Sequence, residues 1–261
     1  MSVKIPFINT RDVFKADNSF ISLIKNAVCP HFQLLSITSL LLGICLFVFI
    51  LMHILYPPSG YSVFLQLPTQ MHTWCLDIQA FINNKAKFYT LITAMFIHYS
   101  YRHIVMNLIF AIFIMYELEY CWKWSILVGL AAGFAANCLA VVTMNGLLLG
   151  FSGALCGYIG IILAAIIQHC SYLKAMHYNQ CYMVTTMIIV MLFFIVGLAP
   201  AGIVHLFGVL FGLLFGLALY PVMPECLPNP NVDKLFKIFS VAFLVIALIL
   251  AFTAWSHDDS L

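Results

Sequence analysis

The sequence predicts an all-α fold, a polytopic membrane bundle of seven transmembrane helices. Three observations predict it. Apolar residues make up 64% of the chain and charged residues only 8%, with a mean hydropathy of +1.06, far outside the range of soluble domains. Seven apolar stretches are long enough to cross a hydrocarbon layer about 30 Å thick. A few polar side chains fall inside those stretches at matching depths, where an unpaired polar group costs several kcal/mol unless it faces a partner or a wet cavity.

The N-terminal segment, 1–33, carries Lys4, Arg11, Lys15 and Lys25. It lacks a short apolar core ahead of a small-residue cleavage site, so the first apolar stretch, 34–56, is expected to be an uncleaved anchor. A long first loop follows, 57–102. The second apolar run begins near Leu91, but Tyr99, Ser100, Tyr101 and Arg102 interrupt it, which places the second span at 103–119. The remaining spans are expected at 125–145, 152–168, 182–200, 203–220 and 235–255. Tyr99, Tyr101, Trp122 and Trp124 mark the ends of the second span as an interfacial aromatic belt. If the N-terminus is cytosolic, the inner segments hold its four basic residues plus Lys123, Lys174, Lys234 and Lys237, against Lys85, Lys87 and Arg102 outside. That bias predicts the N-in orientation.

The composition also excludes functions. A net charge of +2 with no basic stripe and no Gly-rich phosphate loop gives no reason to expect nucleic acid. Nine cysteines are scattered without paired spacing, which argues against a disulfide framework or a zinc site. No cofactor is implied.

In the N-in arrangement the second, fourth and sixth spans all start at the outer face. His103 and Asn107 lie in the first turns of the second, Ser152 opens the fourth, and His205 lies in the first turn of the sixth. Independent structural roles would not require that shared depth. The sixth span also carries Gly208, Gly212 and Gly216 at steps of four, on roughly the face of His205, and the fourth offers Gly153 and Gly157. Small-residue stripes let helix backbones approach closely, although they also occur in bundles without any site. Close approach would set the Ser152 hydroxyl beside the His205 ring. A serine is a weak nucleophile until a base takes its proton, the role expected of His205. His103, Asn107 and the Ser152 backbone N–H at a helix start suit stabilisation of an oxyanion. Asp77, Asp258 and Asp259 are the acids nearest the outer face and none is placed as a third member, which favours a dyad over a triad.

Rival readings can be weighed on the same residues. His98 and His103 are five apart, about 140° around a helix if it extended that far, whereas ligand pairs on a helix sit three or four apart, so no metal site is expected. Gly150-Phe151-Ser152-Gly153-Ala154 lacks the final glycine and the preceding strand of the nucleophile elbow in soluble hydrolases. A transporter would show intramembrane charge and paired broken helices, and the chain shows neither. A non-catalytic protein that retains transmembrane clients remains an alternative.

Taken together, the motifs resemble those of the rhomboid intramembrane serine proteases. His98-Tyr-Ser-Tyr-Arg-His103-Ile-Val-Met-Asn107 is similar to the two-histidine and asparagine pattern of that family, and Gly150-Phe151-Ser152-Gly153 to its Gly-x-Ser-Gly. His205-Leu-Phe-Gly208-Val-Leu-Phe-Gly212 is similar to its His-x-x-Gly-x-x-x-Gly, and Glu119 matches a further family position. The resemblance covers roughly 57–220. It implies a six-helix protease core, 34–220, followed by a linker, a seventh helix and a short tail at 221–261. It further implies Ser152 as nucleophile, His205 as general base and His103 with Asn107 near the oxyanion, with Gly150, Gly153, Gly157, Gly208 and Gly212 packing around them. The implied substrates are single-pass transmembrane proteins in the lipid bilayer, cut near the outer or lumenal leaflet. An extra helix after the core resembles the secretory-pathway branch rather than the mitochondrial one. Three positions depart from the pattern: Trp74-Cys75 stands where a Trp-Arg pair is common, Cys156 where an aromatic ring often stacks on the histidine, and Val204 where a small residue usually precedes it.

Overall fold

The computed structural model describes residues 31–56, 73–169, 202–222 and 230–253. Helix α1 spans Ile37–Leu55, α2 Ile78–Asn83, α3 Thr90–Thr93, α4 Tyr101–Cys121, α5 Ser125–Thr143, α6 Ser152–Gln168, α7 Gly202–Leu219 and α8 Pro230–Thr253. Five of these, α1, α4, α5, α7 and α8, are long and apolar enough to cross a membrane, and α6 is a shorter apolar helix. The span expected at 182–200, the N-terminal 1–30, and Asp258 with Asp259 lie outside the described residues.

Local chemistry sets the helix ends. Ser36 caps α1 by accepting the Ser39 N–H at 3.1 Å, and Ser100 caps α4 by accepting the His103 N–H at 3.2 Å, so α4 begins two residues before the expected boundary. The carboxylate of Glu119, near the far end of α4, accepts the Ile37 and Thr38 N–H groups at 2.9 Å each. Two free amides at the α1 N-terminus thus bond one buried-side anion. Pro230 starts α8, where its missing N–H costs nothing.

Residues 73–100, expected to be a loop, carry ordered structure. Leu76–Asp77 (β1) pairs antiparallel with Leu147–Leu148 (β2), Leu76 opposite Leu148 and Asp77 opposite Leu147. Asp77 caps α2, its carboxylate accepting the Ala80 N–H at 3.0 Å. The segment closes on itself through Thr93 Oγ1 donating to the Trp74 carbonyl at 2.7 Å and Tyr89 OH donating to the Thr73 carbonyl at 3.0 Å. Trp74 packs edge-on against Tyr89 and Cys75 is buried, so the departure from the Trp-Arg pattern leaves a packed segment.

Helices α5, α6 and α7 form the centre, with α6 buried along most of its length. Helix α8 lies on α5 and α7, where Ala247 and Ala251 are buried, Ser240 Oγ donates to the Leu214 carbonyl at 2.8 Å, and Phe252 meets Phe81 of α2. The outward faces of α1 and α8 are apolar, as Phe47 at 64% exposure and Ile238 at 65% show, which suits contact with hydrocarbon tails. Two further histidines are built into the bundle. His169 is fully buried with Nδ1 on the Ala165 carbonyl at 2.7 Å, and His31 stacks on Tyr120 and pairs with Glu117 at 3.3 Å. Trp122 likewise packs on Tyr220.

Candidate active site

The strand β2 and the residues after it carry the chain to Ser152, and contacts from 76–98 hold that approach. Besides the β1–β2 rungs, the Ile78 N–H donates to the Gly146 carbonyl at 3.1 Å, and the Gly150 N–H to the Ala94 carbonyl at 2.8 Å. The Phe151 N–H donates to His98 Nε2 at 3.4 Å. Gly146 and Gly150 have φ of +108° and +112°, backbone conformations that glycine alone adopts without strain. At Gly150 space is also decisive, because an added Cβ would lie 2.5 Å from His103 Cε1 and 2.7 Å from His103 Nε2.

Ser152 is the first residue of α6, so its N–H is among the amides that have no intrahelical acceptor. Its Oγ lies 2.8 Å from Nε2 of His205 in the first turn of α7. Both are buried, Ser152 at 8% exposure and His205 at 2%. In the tautomer with its proton on Nδ1, the imidazole accepts the serine hydroxyl hydrogen, the geometry a general base needs.

The pair is held by helices α6 and α7, which run parallel with glycines interleaved. A Cβ at Gly208 would meet the Gly153 carbonyl oxygen and come within 3.0 Å of Cys156 Cβ. One at Gly212 would meet the Gly157 carbonyl and lie 2.7 Å from its carbon, and one at Gly216 would lie 2.6 Å from Ala164 Cβ. Backbone touches backbone along the whole seam. Gly157 also faces α5, where an added Cβ would be 2.8 Å from Ala132 Cβ. The small thiol of Cys156 therefore stands in the seam itself, and Val204 packs against Gly153, 3.4 Å from where its Cβ would be.

His103 and Asn107 reach the same spot from α4. Asn107 is buried at 3% exposure, and a Cβ at Gly150 would lie 3.7 Å from its Nδ2. Among the described residues Asn107 Nδ2 and His103 Nδ1 are buried polar atoms without a hydrogen-bond partner, a costly state that a developing negative charge beside them would relieve. Asp77, the nearest outer-face acid, caps α2.

Two residues escaped the sequence reading as site components. His98 precedes α4, so helical spacing does not apply to it. Its Nδ1–H donates to the Phe96 carbonyl at 3.3 Å while Nε2 accepts from Phe151, which fixes the neutral ring. Burial first, and the His103 ring second, push its pKa down to about 3. The Gly-x-Ser-Gly signal gave no hint of this support. Asn137 of α5 was also missed, although it is the only side chain bearing nitrogen or oxygen between Ser125 and Thr143, a signal that was available. It lines, with Ser152 and His205, a cavity of about 20 Å³. Among the described residues no group of three or more His, Cys, Asp or Glu side chains converges as metal ligands would.

The family model for the Rhomboid domain matches residues 85–222, more than half of the chain. No curated protein matches the chain.

Proposed function

The chain belongs to the rhomboid family, and from that membership we propose that it is an intramembrane serine endopeptidase. Ser152 and His205 act as its catalytic dyad on transmembrane segments of single-pass proteins. The observation that carries the reading is the 2.8 Å contact between Ser152 Oγ and His205 Nε2 inside an apolar bundle, beside a cavity and near buried polar atoms that have no partner among the described residues.

In the proposed reaction His205 Nε2 takes the hydroxyl proton as Ser152 Oγ attacks the scissile carbonyl. The oxyanion that forms is met by Asn107 Nδ2, the His103 ring and the Ser152 N–H, donors fixed before the charge appears. His205 then passes its proton to the leaving amine, and the same base activates water for deacylation. The distribution of Lys and Arg favours a cytosolic N-terminus and a site near the outer or lumenal leaflet. The helix after the core supports a secretory-pathway or plasma membrane rather than a mitochondrial one.

The test is to purify the protein with Ser152→Ala and His205→Ala variants, then follow a single-pass substrate by gel and Ser152 by a fluorophosphonate. Cleavage and labelling confined to the unaltered protein are expected. Equal cleavage by all three would sink the dyad, and stable client binding without cleavage by any would favour the non-catalytic scaffold.

A further inference from the structure

We propose that the end of the bundle opposite Ser152 holds one phospholipid with a phosphoethanolamine headgroup, seated between the start of α1 and the turn from α4 to α5. Glu119 lies twelve residues along α4 from Asn107, about 18 Å at helical rise, so the place is well apart from the dyad. A cavity of about 270 Å³ opens there, lined by Gln33, Ser36, Tyr116, Glu119, Tyr120 and Lys123. Ser36, Glu119 and Lys123 also border an apolar groove of about 850 Å³ along α1, past Leu40, Gly43, Ile44 and Phe47. These four recur at steps of three and four and so share one face of the helix. Leu40 and Phe47 are exposed, and Gly43 leaves a notch between them, with nothing within 4 Å of an added Cβ. A polar cavity that runs into an apolar groove matches an amphiphile, with its headgroup in the cavity and an acyl chain along the helix.

The charges select the headgroup. Lys123 carries one positive charge and Glu119 one negative, and among the described residues no ion pair joins them. His31, which also lines the cavity, is paired with Glu117 at 3.3 Å. A zwitterion fits between Lys123 and Glu119, whereas an anionic headgroup would set a like charge against the carboxylate. Lys123 is exposed and its Nζ lies 5.7 Å from the Trp124 ring centroid, a contact it can exchange for a phosphate oxygen. Each Glu119 oxygen accepts one backbone N–H, from Ile37 or Thr38, and keeps a further lone pair for an ammonium hydrogen. A primary ammonium supplies that hydrogen, and the quaternary nitrogen of choline has none. Choline would need open aromatic faces instead, but the rings here are engaged: His31 stacks on Tyr120 with centroids 3.6 Å apart, and Phe32 packs on Tyr116 at 5.2 Å. The lipid thus bridges α1 to the α4–α5 turn, beside the Glu119 bonds that already tie the two.

The test uses the full-length protein, delipidated in detergent, with native mass spectrometry and thermal melting as readouts. Phosphatidylethanolamine, phosphatidylcholine and phosphatidylglycerol with the same acyl chains are added in turn, beside the soluble headgroup glycerophosphoethanolamine. One retained phosphatidylethanolamine per chain is expected, with a Tm that rises with its concentration and little response to the other three. Lys123→Glu repels the phosphate and Gly43→Phe fills the notch. Both positions are exposed, so both variants should melt at the unaltered temperature without lipid and bind phosphatidylethanolamine roughly 10–100-fold more weakly. Equal retention of the three lipids, or retention unchanged in either variant, would reduce the site to ordinary surrounding lipid and overturn the inference. Glycerophosphoethanolamine bound as tightly as the lipid would assign the cavity to a soluble ligand and overturn it too, as would a protein that retains no lipid. Because the readout is binding, its failure leaves the endopeptidase reading standing, and a protein that does not cleave leaves this inference standing.

Discussion

Replacing Gly212 with alanine adds a single methyl group to the seam between α6 and α7, and its consequences can be worked from the geometry. The new Cβ would sit 2.7 Å from the Gly157 carbonyl carbon, 2.8 Å from Gly157 Cα and against the carbonyl oxygen. Carbon atoms settle about 3.5–4.0 Å apart. No flexible side chain stands on the Gly157 side to give way, so the backbones must part by about 1 Å. Ser152 and His205 lie on the same two helices, and a 2.8 Å hydrogen bond stretched by that amount leaves the range in which it counts as one. Misplacement of about 1 Å commonly costs on the order of 100-fold in rate, or roughly 2.7 kcal/mol of barrier. The assay is substrate cleavage with fluorophosphonate labelling as a second readout, run beside Gly43→Ala as a control. Gly43 is in α1 with nothing within 4 Å of its added Cβ, so that variant should cleave at the unaltered rate. A Gly212→Ala protein with unaltered cleavage and labelling would refute the argument that backbone contact sets the dyad distance.

Asn107→Ala removes the amide proposed to meet the oxyanion without touching Ser152 or His205, and should lower kcat about 100-fold or more with little change in KM, measured by steady-state cleavage. His98 is held neutral with a pKa of about 3, while the unfolded chain takes up the proton near 6.5. Its contribution to stability is therefore whole above about pH 6.5 and lost as pH falls toward 3, at up to about 1.4 kcal/mol per pH unit. Thermal melting between pH 7 and 4 should accordingly be shallower in His98→Gln, and equal slopes would refute it. Glu119→Ala strips the Ile37 and Thr38 amides of their acceptor and should destabilise the fold by about 2 kcal/mol, read as a lower Tm that Glu119→Gln largely restores.

The apolar periodicity located the described spans to within a few residues, because hydrocarbon imposes length and composition on every crossing. The glycine steps of α7 predicted its close approach to α6, and the shared depth of Ser152 and His205 anticipated their contact. The segment 73–100 was illegible for a physical reason. Its order comes from pairing with residues 56 to 72 positions further along, Leu76 with Leu148 and Ala94 with Gly150, and from capping by Asp77. None of these leaves a periodic mark. His98 was misjudged because its place was reckoned on a helix that starts only at Tyr101. Cys156 was taken as a lost stacking partner, whereas it occupies a seam with room for little more than a thiol.

The contact between Ser152 and His205 spans 53 residues of chain, and this gives the protein a chronology. At about 5–20 residues per second of synthesis, roughly 3–10 s separate the emergence of the serine from that of the histidine. Throughout that interval helix α6 exists without the partner that brings the base. The nascent chain, its neighbours at the insertion site and its own earlier helices thus meet a serine with an ordinary, inert hydroxyl. On the proposed mechanism nucleophilic character arrives only when α7 docks along the glycine seam, so a late step of folding doubles as the switch that arms the protein.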